Sequence, residues 1–142
     1  MSGATLGGAT LVDAGPLVAF LNRGDTHHRW ARTQLERLHP PLLTCEAVLA
    51  EACDLLRRHP GGVPALLTVL DRGLVSVGFR LDEHVRRVAE LMDRYADVPM
   101  SLADACLVRM SELSPGAEVL TLDPGFRHYR RLGRQTIPLI IP

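Results

Sequence analysis

Thr10-Leu11-Val12-Asp13-Ala14-Gly15-Pro16-Leu17-Val18 reads as a short apolar strand that ends in a carboxylate and turns directly into a helix. Pro16 suits the first helical turn, where a missing N–H leaves no bond unmade. In α/β sheets ligands bind at the carboxyl ends of strands, so Asp13 stands where chemistry is done. A lone Asp is equally a cap or turn former. Its meaning depends on whether other carboxylates arrive beside it.

Outward from that strand, short apolar runs alternate with helical periodicity. Leu17–Leu21 is a short helix stopped near Gly24, and Asp25 or Thr26 caps a helix over His27–Leu38. Leu42–Thr44 is a second strand, with Thr44 capping a helix over Cys45–Arg58. A helix over Pro64–Arg72 is closed by Gly73, and Leu74–Val77 is a third strand. Asp82 caps a helix that runs to Tyr95, and Ser101 caps one over Leu102–Leu113. Glu118–Leu122 is a strand ending at Asp123, followed by a Pro124-Gly125 turn into a short basic helix. Thr136–Ile141 closes the chain as a strand, placed at a sheet edge by Pro138. Strands alternating with helices predict an α/β fold with a central, mostly parallel sheet flanked by helices in three layers.

At 142 residues the chain is long enough for one domain with a real core. Residues 1–8 are expected to form a flexible extension and residues 9–142 a single domain. Sixteen basic and sixteen acidic residues cancel, so contact with nucleic acid has to come from a local patch. Every basic residue is Arg, which excludes any mechanism that needs a lysine. No apolar run reaches the roughly 20 residues of a membrane span, and Met1–Gly8 lacks the charged and apolar regions of a signal peptide. Cys45, Cys53 and Cys106 are odd in number and without CxxC spacing, as expected of reduced, buried thiols in a cytoplasmic protein.

Four acids stand apart from the solvated ones. Asp13 and Asp123 each follow an apolar strand, while Glu51 and Asp104 lie among small and apolar helix residues. A carboxylate in such company is expensive to bury alone. If several converge, like charges about 4 Å apart repel by about 4 kcal/mol at an effective dielectric near 20. A divalent cation relieves that repulsion. Magnesium takes oxygen ligands, binds through one or two carboxylates and keeps waters. Taken singly, each acid has a plain alternative: helix-dipole partner for Asp104, turn former for Asp123, exposed helix residue for Glu51. Glu46, Asp54, Glu83, Glu90 and Glu112 read as solvated faces.

Leu11–Val18, Thr44–Glu51, Ser101–Ala105 and Leu120–Phe126, in this order and spacing, resemble the PIN-domain family, and within it the VapC-type toxin ribonucleases of bacterial type II toxin–antitoxin modules. Residue by residue, the acidic pocket of that family falls on Asp13, Glu51, Asp104 and Asp123. The resemblance implies a PIN-like fold and a magnesium- or manganese-dependent endoribonuclease, with Asp13 and Asp104 holding the metal. It further implies an RNA substrate, a homodimer and inhibition by a small antitoxin protein.

Beside Asp123, Arg127, Arg130, Arg131 and Arg134 surround Tyr129 and offer a grip on phosphates, with a solvated helix as the competing reading. Thr121 is placed either to hydrogen-bond the metal shell or to play a plain structural role. His27-His28 is not a ligand pair, because adjacent helix residues point apart. Three other readings stay open beside the toxin nuclease. One is an inactive module that works by binding protein, which need not take up metal. Another is a housekeeping RNA-processing nuclease. The third, a phosphoaspartyl protein with Asp13 as nucleophile, asks for a lysine that the chain lacks and for an acid where Gly15 stands.

Overall fold

A computed structural model describes residues 9–142, so the expected extension over residues 1–8 lies outside the described residues. Five strands form one sheet: β1 (Thr10–Val12), β2 (Leu42–Thr44), β3 (Val75–Val77), β4 (Glu118–Leu120) and β7 (Leu139–Ile140). The order is β3-β2-β1-β4-β7, and all four pairings are parallel rather than mostly so. β5 (Arg130–Arg131) and β6 (Gln135–Thr136) form a separate antiparallel pair. Six helices flank the sheet: α1 (Ala14–Leu21), α2 (His28–Arg37), α3 (Glu46–Leu56), α4 (Gly62–Asp71), α5 (Val85–Arg94) and α6 (Leu102–Leu113). None is long and apolar enough to cross a membrane.

The topology matters more than the element count. From β1 the chain moves outward through β2 and β3, then returns to the other side of β1 through β4 and β7. The order therefore reverses between β1 and β4, and such a switch point opens a crevice at the carboxyl ends of the strands. Asp13 follows β1 directly, and Thr121 and Asp123 follow β4. β1 itself is buried from end to end, which explains its unbroken apolar run. Burying each such Leu or Val contributes roughly 1.5–3 kcal/mol. Gly15 lets α1 approach the loop after β4: a Cβ there would stand 3.2 Å from Cβ of Leu122.

Several expected boundaries shift for identifiable reasons. Thr44 does not cap α3; its hydroxyl donates to the Val12 carbonyl at 2.8 Å, and Cys45 holds the cap position without a side-chain bond. Asp25 accepts from His27 N–H at 2.8 Å in a local turn, so neither it nor Thr26 caps α2. Asp82 belongs to a separate 3₁₀ turn, Leu81–Glu83, that precedes α5. The expected basic helix is a 3₁₀ turn, Pro124–Arg127, followed by the β5–β6 pair. The last strand is shorter than expected and lies at the edge beside β4, where the Pro138 carbonyl accepts from Val119 N–H at 2.8 Å.

Candidate active site at the carboxyl end of the sheet

Pairing of Val12 with Leu120 places Asp13 beside Thr121, and Asp13 N–H donates to the Leu120 carbonyl at 3.0 Å. Asp13 is only 6% exposed. Its Oδ1 caps α1 by accepting from Ala14 N–H at 2.8 Å, and its Oδ2 accepts from the Thr121 hydroxyl at 2.7 Å. The same Thr121 oxygen accepts from Asp123 N–H at 2.9 Å. One hydroxyl thus fixes both the carboxylate after β1 and the backbone after β4. Burial pushes the Asp13 carboxyl from its ordinary 3.8 up to about 6; the bonds from Thr121 and Ala14 hold it down, and Asp104 and Glu51 push it further up.

Asp104 lies in the first turn of α6, inside a capping box. Its N–H donates to Ser101 Oγ at 3.0 Å, and its Oδ2 accepts from Ser101 N–H at 3.2 Å. Oδ2 also accepts from the Tyr129 hydroxyl at 3.0 Å. Glu51, on α3, has an exposed surface. Partial burial of its carboxyl raises it all the same, with Asp104 and then Asp123 adding to the effect. Asp123 is exposed and closes its own turn, its Oδ1 accepting from Gly125 N–H at 2.8 Å. A Cβ on Gly125 would stand 3.0 Å from that oxygen, a close fit that the end of the Asp123 side chain would have to accommodate.

The four acids therefore share one electrostatic neighbourhood. They do not converge on one point: among the described residues no three His, Cys, Asp or Glu side chains stand close enough to hold a metal ion together. Oδ2 of Asp104 is tied to Ser101 and Tyr129, and Oδ1 of Asp123 to its turn. Nor does any Arg or His among the described residues pair with any of the four, although the chain has sixteen Arg. An all-oxygen, uncompensated anionic set with two carboxylates fixed in place suits a hard divalent cation that keeps most of its waters.

The basic cluster divides. Arg131 is buried, and its guanidinium donates to the Ser111 carbonyl and hydroxyl at 3.1 Å each and to the Pro115 carbonyl at 2.9 Å. It ties the hairpin to α6 and is not available to phosphates, contrary to expectation. Arg130 folds back on the carbonyls of Arg127 and Tyr129 at 2.7 and 3.0 Å, while Arg127 and Arg134 are exposed. Glu112, expected to be solvated, is buried. It accepts from Arg87 at 2.9 and 2.6 Å, from Arg109 at 3.2 Å and from Leu132 N–H at 2.7 Å. Those donors outweigh its burial and lower its carboxyl.

His27 is exposed and His28 bonds the Ala19 carbonyl at 2.8 Å, so they form no ligand pair. Cys45 meets Cys106, and that contact, with burial, pushes its thiol up, away from an activated thiolate. An apolar cavity of about 120 Å³, lined by Leu17, Phe20, Leu35, Leu38 and Val69 among others, offers one acid, Glu36, and no set of groups that could do chemistry. Sequence reasoning missed the hydroxyl of Tyr129. Its partner is 25 positions away, and no local pattern announces the bond.

The family model for the PIN domain matches residues 10–132. The chain belongs to the PIN domain family. The matched span contains all four acids of this PIN domain, together with Thr121 and Tyr129. Among solved structures, the PIN chain is similar to VapC20 of Mycobacterium tuberculosis, described as a sarcin–ricin loop cleaving toxin. The TM-score is 0.70 at 21% identity, over 78% of this chain and 87% of that one. No curated protein matches the PIN chain in sequence.

Proposed function

We propose that this PIN-domain protein is a magnesium- or manganese-dependent endoribonuclease, the toxin of a type II toxin–antitoxin module. The observation that carries the reading is the electrostatic coupling of Asp13, Glu51, Asp104 and Asp123 near the carboxyl end of the sheet, with no Arg or His among the described residues paired to any of them. Membership of the PIN family and the likeness to an RNA-cleaving toxin support the reaction class.

Asp13 and Asp104 would hold the ion. When bound, a divalent ion lowers the pKa of its water and stabilises the charge that develops on a phosphodiester during in-line displacement. Thr121 keeps Asp13 in one orientation, and a bound cation would favour the ionised form of Asp13 that ligates it. Glu51 and Asp123 would orient the attacking water, and the exposed Arg127, just beyond Asp123, would meet the RNA backbone.

RNA cleavage should need added magnesium or manganese, stop with EDTA and be lost in Asp104→Asn. Full cleavage by a folded Asp104→Asn variant would overturn the proposal. One rival, an inactive module that acts by protein contact, is favoured in that no three-ligand cluster stands ready among the described residues. Calorimetry with manganese separates the two, since the rival need take up no ion. We further propose a homodimer, and an antitoxin whose segment covers the acids and offers them an Arg. A pull-down with the product of the neighbouring small reading frame tests that partner.

A further inference from the structure

The C-terminal segment of the chain is fastened along α6 at three points. Arg131 bonds Ser111 and Pro115, and Leu132 N–H donates to Glu112 at 2.7 Å. The third fastening is of a different kind. The Tyr129 hydroxyl, carried by a ring that is 1% exposed, donates to Oδ2 of Asp104 at 3.0 Å.

Everything around Tyr129 fixes where that hydroxyl can go. Its ring meets Tyr95 edge-on at 5.1 Å and Phe126 at 5.2 Å, both T-shaped. Tyr95 in turn accepts from Arg130 N–H at 2.9 Å, which pins the backbone on the far side of Tyr129. A ring held by two aromatic contacts delivers its hydroxyl to one place. That place is the oxygen already taken by Ser101 N–H at 3.2 Å. With two donors on Oδ2, the Asp104 carboxylate has a single rotational setting. Its other oxygen, Oδ1, has no donor among the described residues.

We infer that Tyr129 is a positioning residue for metal binding: it locks Asp104 so that Oδ1, and not Oδ2, faces the ion. The inference rests on the nuclease reading above, because it assumes that Asp104 is a ligand. It assigns to the ring a role beyond packing, and it makes the seating of the β5–β6 segment part of the metal site. Groups that orient a metal ligand change affinity 10–100-fold when removed.

The test is calorimetric titration of manganese into the metal-free protein. Tyr129→Phe keeps the ring and both aromatic contacts and deletes only the donor. We expect its manganese affinity to fall about tenfold, while the thermal midpoint of the metal-free protein stays near the parent's. The control is Tyr95→Phe, which removes the acceptor for Arg130 N–H without touching Asp104. It should lower the midpoint and reduce manganese affinity by less than Tyr129→Phe does, since the donor to Asp104 stays in place. In Asp104→Asn the further change Tyr129→Phe should have no effect on residual affinity.

Cleavage by Tyr129→Phe should recover toward the parent rate at saturating manganese. Parent-like affinity in Tyr129→Phe would overturn the inference. So would a metal-free Tyr129→Phe protein that has lost its folded spectrum, which would make the hydroxyl a stability element. If the parent itself takes up no manganese, the nuclease reading fails first, and the two failures are told apart by the parent titration alone.

Discussion

Asp13 should weaken the metal-free protein at neutral pH, and Asp13→Asn should therefore stabilise it. The carboxyl has an ordinary pKa of 3.8 when exposed and about 6 in the fold, and each pKa unit corresponds to about 1.4 kcal/mol. The folded chain thus holds this proton more tightly than the unfolded chain does. Below pH about 4 both states are protonated and there is no penalty. As pH rises through the interval to about 6 the folded state must surrender a proton it prefers, and stability falls by about 3 kcal/mol. Asparagine removes the charge. It can still accept from Ala14 N–H, but its amide meets the Thr121 oxygen that already receives Asp123 N–H, which costs about 1 kcal/mol.

The net expectation is a gain of about 2 kcal/mol at pH 7.5, or roughly 6 °C in a protein of this size. The gain should vanish at pH ~4.5 and become a loss of about 1 kcal/mol at lower pH, where only the disturbed Thr121 contact remains. Manganese at a hundred times its Kd should then add about 2.7 kcal/mol to the parent and little to Asp13→Asn, which reverses the order of the two proteins. Thermal melts at pH 4.5 and 7.5, with EDTA and with manganese, check all four expectations. A metal-free Asp13→Asn protein less stable than the parent at pH 7.5 would refute the burial argument. Equal stabilisation of both by manganese would refute Asp13 as a ligand.

Other outcomes follow from the same geometry. Thr121→Val removes a bond that holds the Asp13 carboxyl down, so the pH at which manganese binding half-develops should move upward in titrations across pH 5–8. Arg131→Met deletes three bonds to Ser111 and Pro115 and should lower stability in urea by about 2–3 kcal/mol, with manganese affinity reduced only as far as the hairpin loosens. Glu112→Gln leaves Arg87 and Arg109 without their shared anion and should cost about 2–3 kcal/mol, less than a fully buried pair because both guanidiniums reach solvent. Since the fold lowers the Glu112 carboxyl below 4.5, that contribution is present above pH 4.5 and lost as pH falls, which the pH dependence of urea midpoints would show.

The elements that were legible in the sequence are those whose cause is local. Ser101 and Asp104 make a capping box within four residues, and the helix Leu102–Leu113 was readable to both ends. Leu42–Thr44 was readable because an apolar run is bounded by Pro40-Pro41 and a polar residue. Where a residue answers to a distant partner, the local signal misleads. Thr44 looks like a helix cap, but the carbonyl of Val12, 32 positions away, takes its hydroxyl. Glu112 looks solvated until Arg87 and Leu132 are brought to it. The Arg-rich run after Phe126 has helical composition, yet Gly133, at φ +84°, sits in the turn between β5 and β6.

The four acids stand out in the sequence for another reason, which bears on what the site is for. A sequence selected only for stability would fill the position after β1 with an apolar or neutral capping residue, since the cap bond from Ala14 needs only an oxygen. Serine or asparagine would serve without the charge. Keeping Asp13 there forfeits about 3 kcal/mol at neutral pH. Glu51 and Asp104 then raise that penalty, where an Arg from a chain rich in Arg would have relieved it. The fold absorbs this deficit with rigid supports: Thr121 on Asp13, Ser101 and Tyr129 on Asp104. Rigid support of mutually repelling carboxylates makes no sense for a surface that only needs to be solvated, because free rotation would let the charges separate into water. It suits the proposed metal site, where a cation would supply the missing charge and the ligands would wait for it in place.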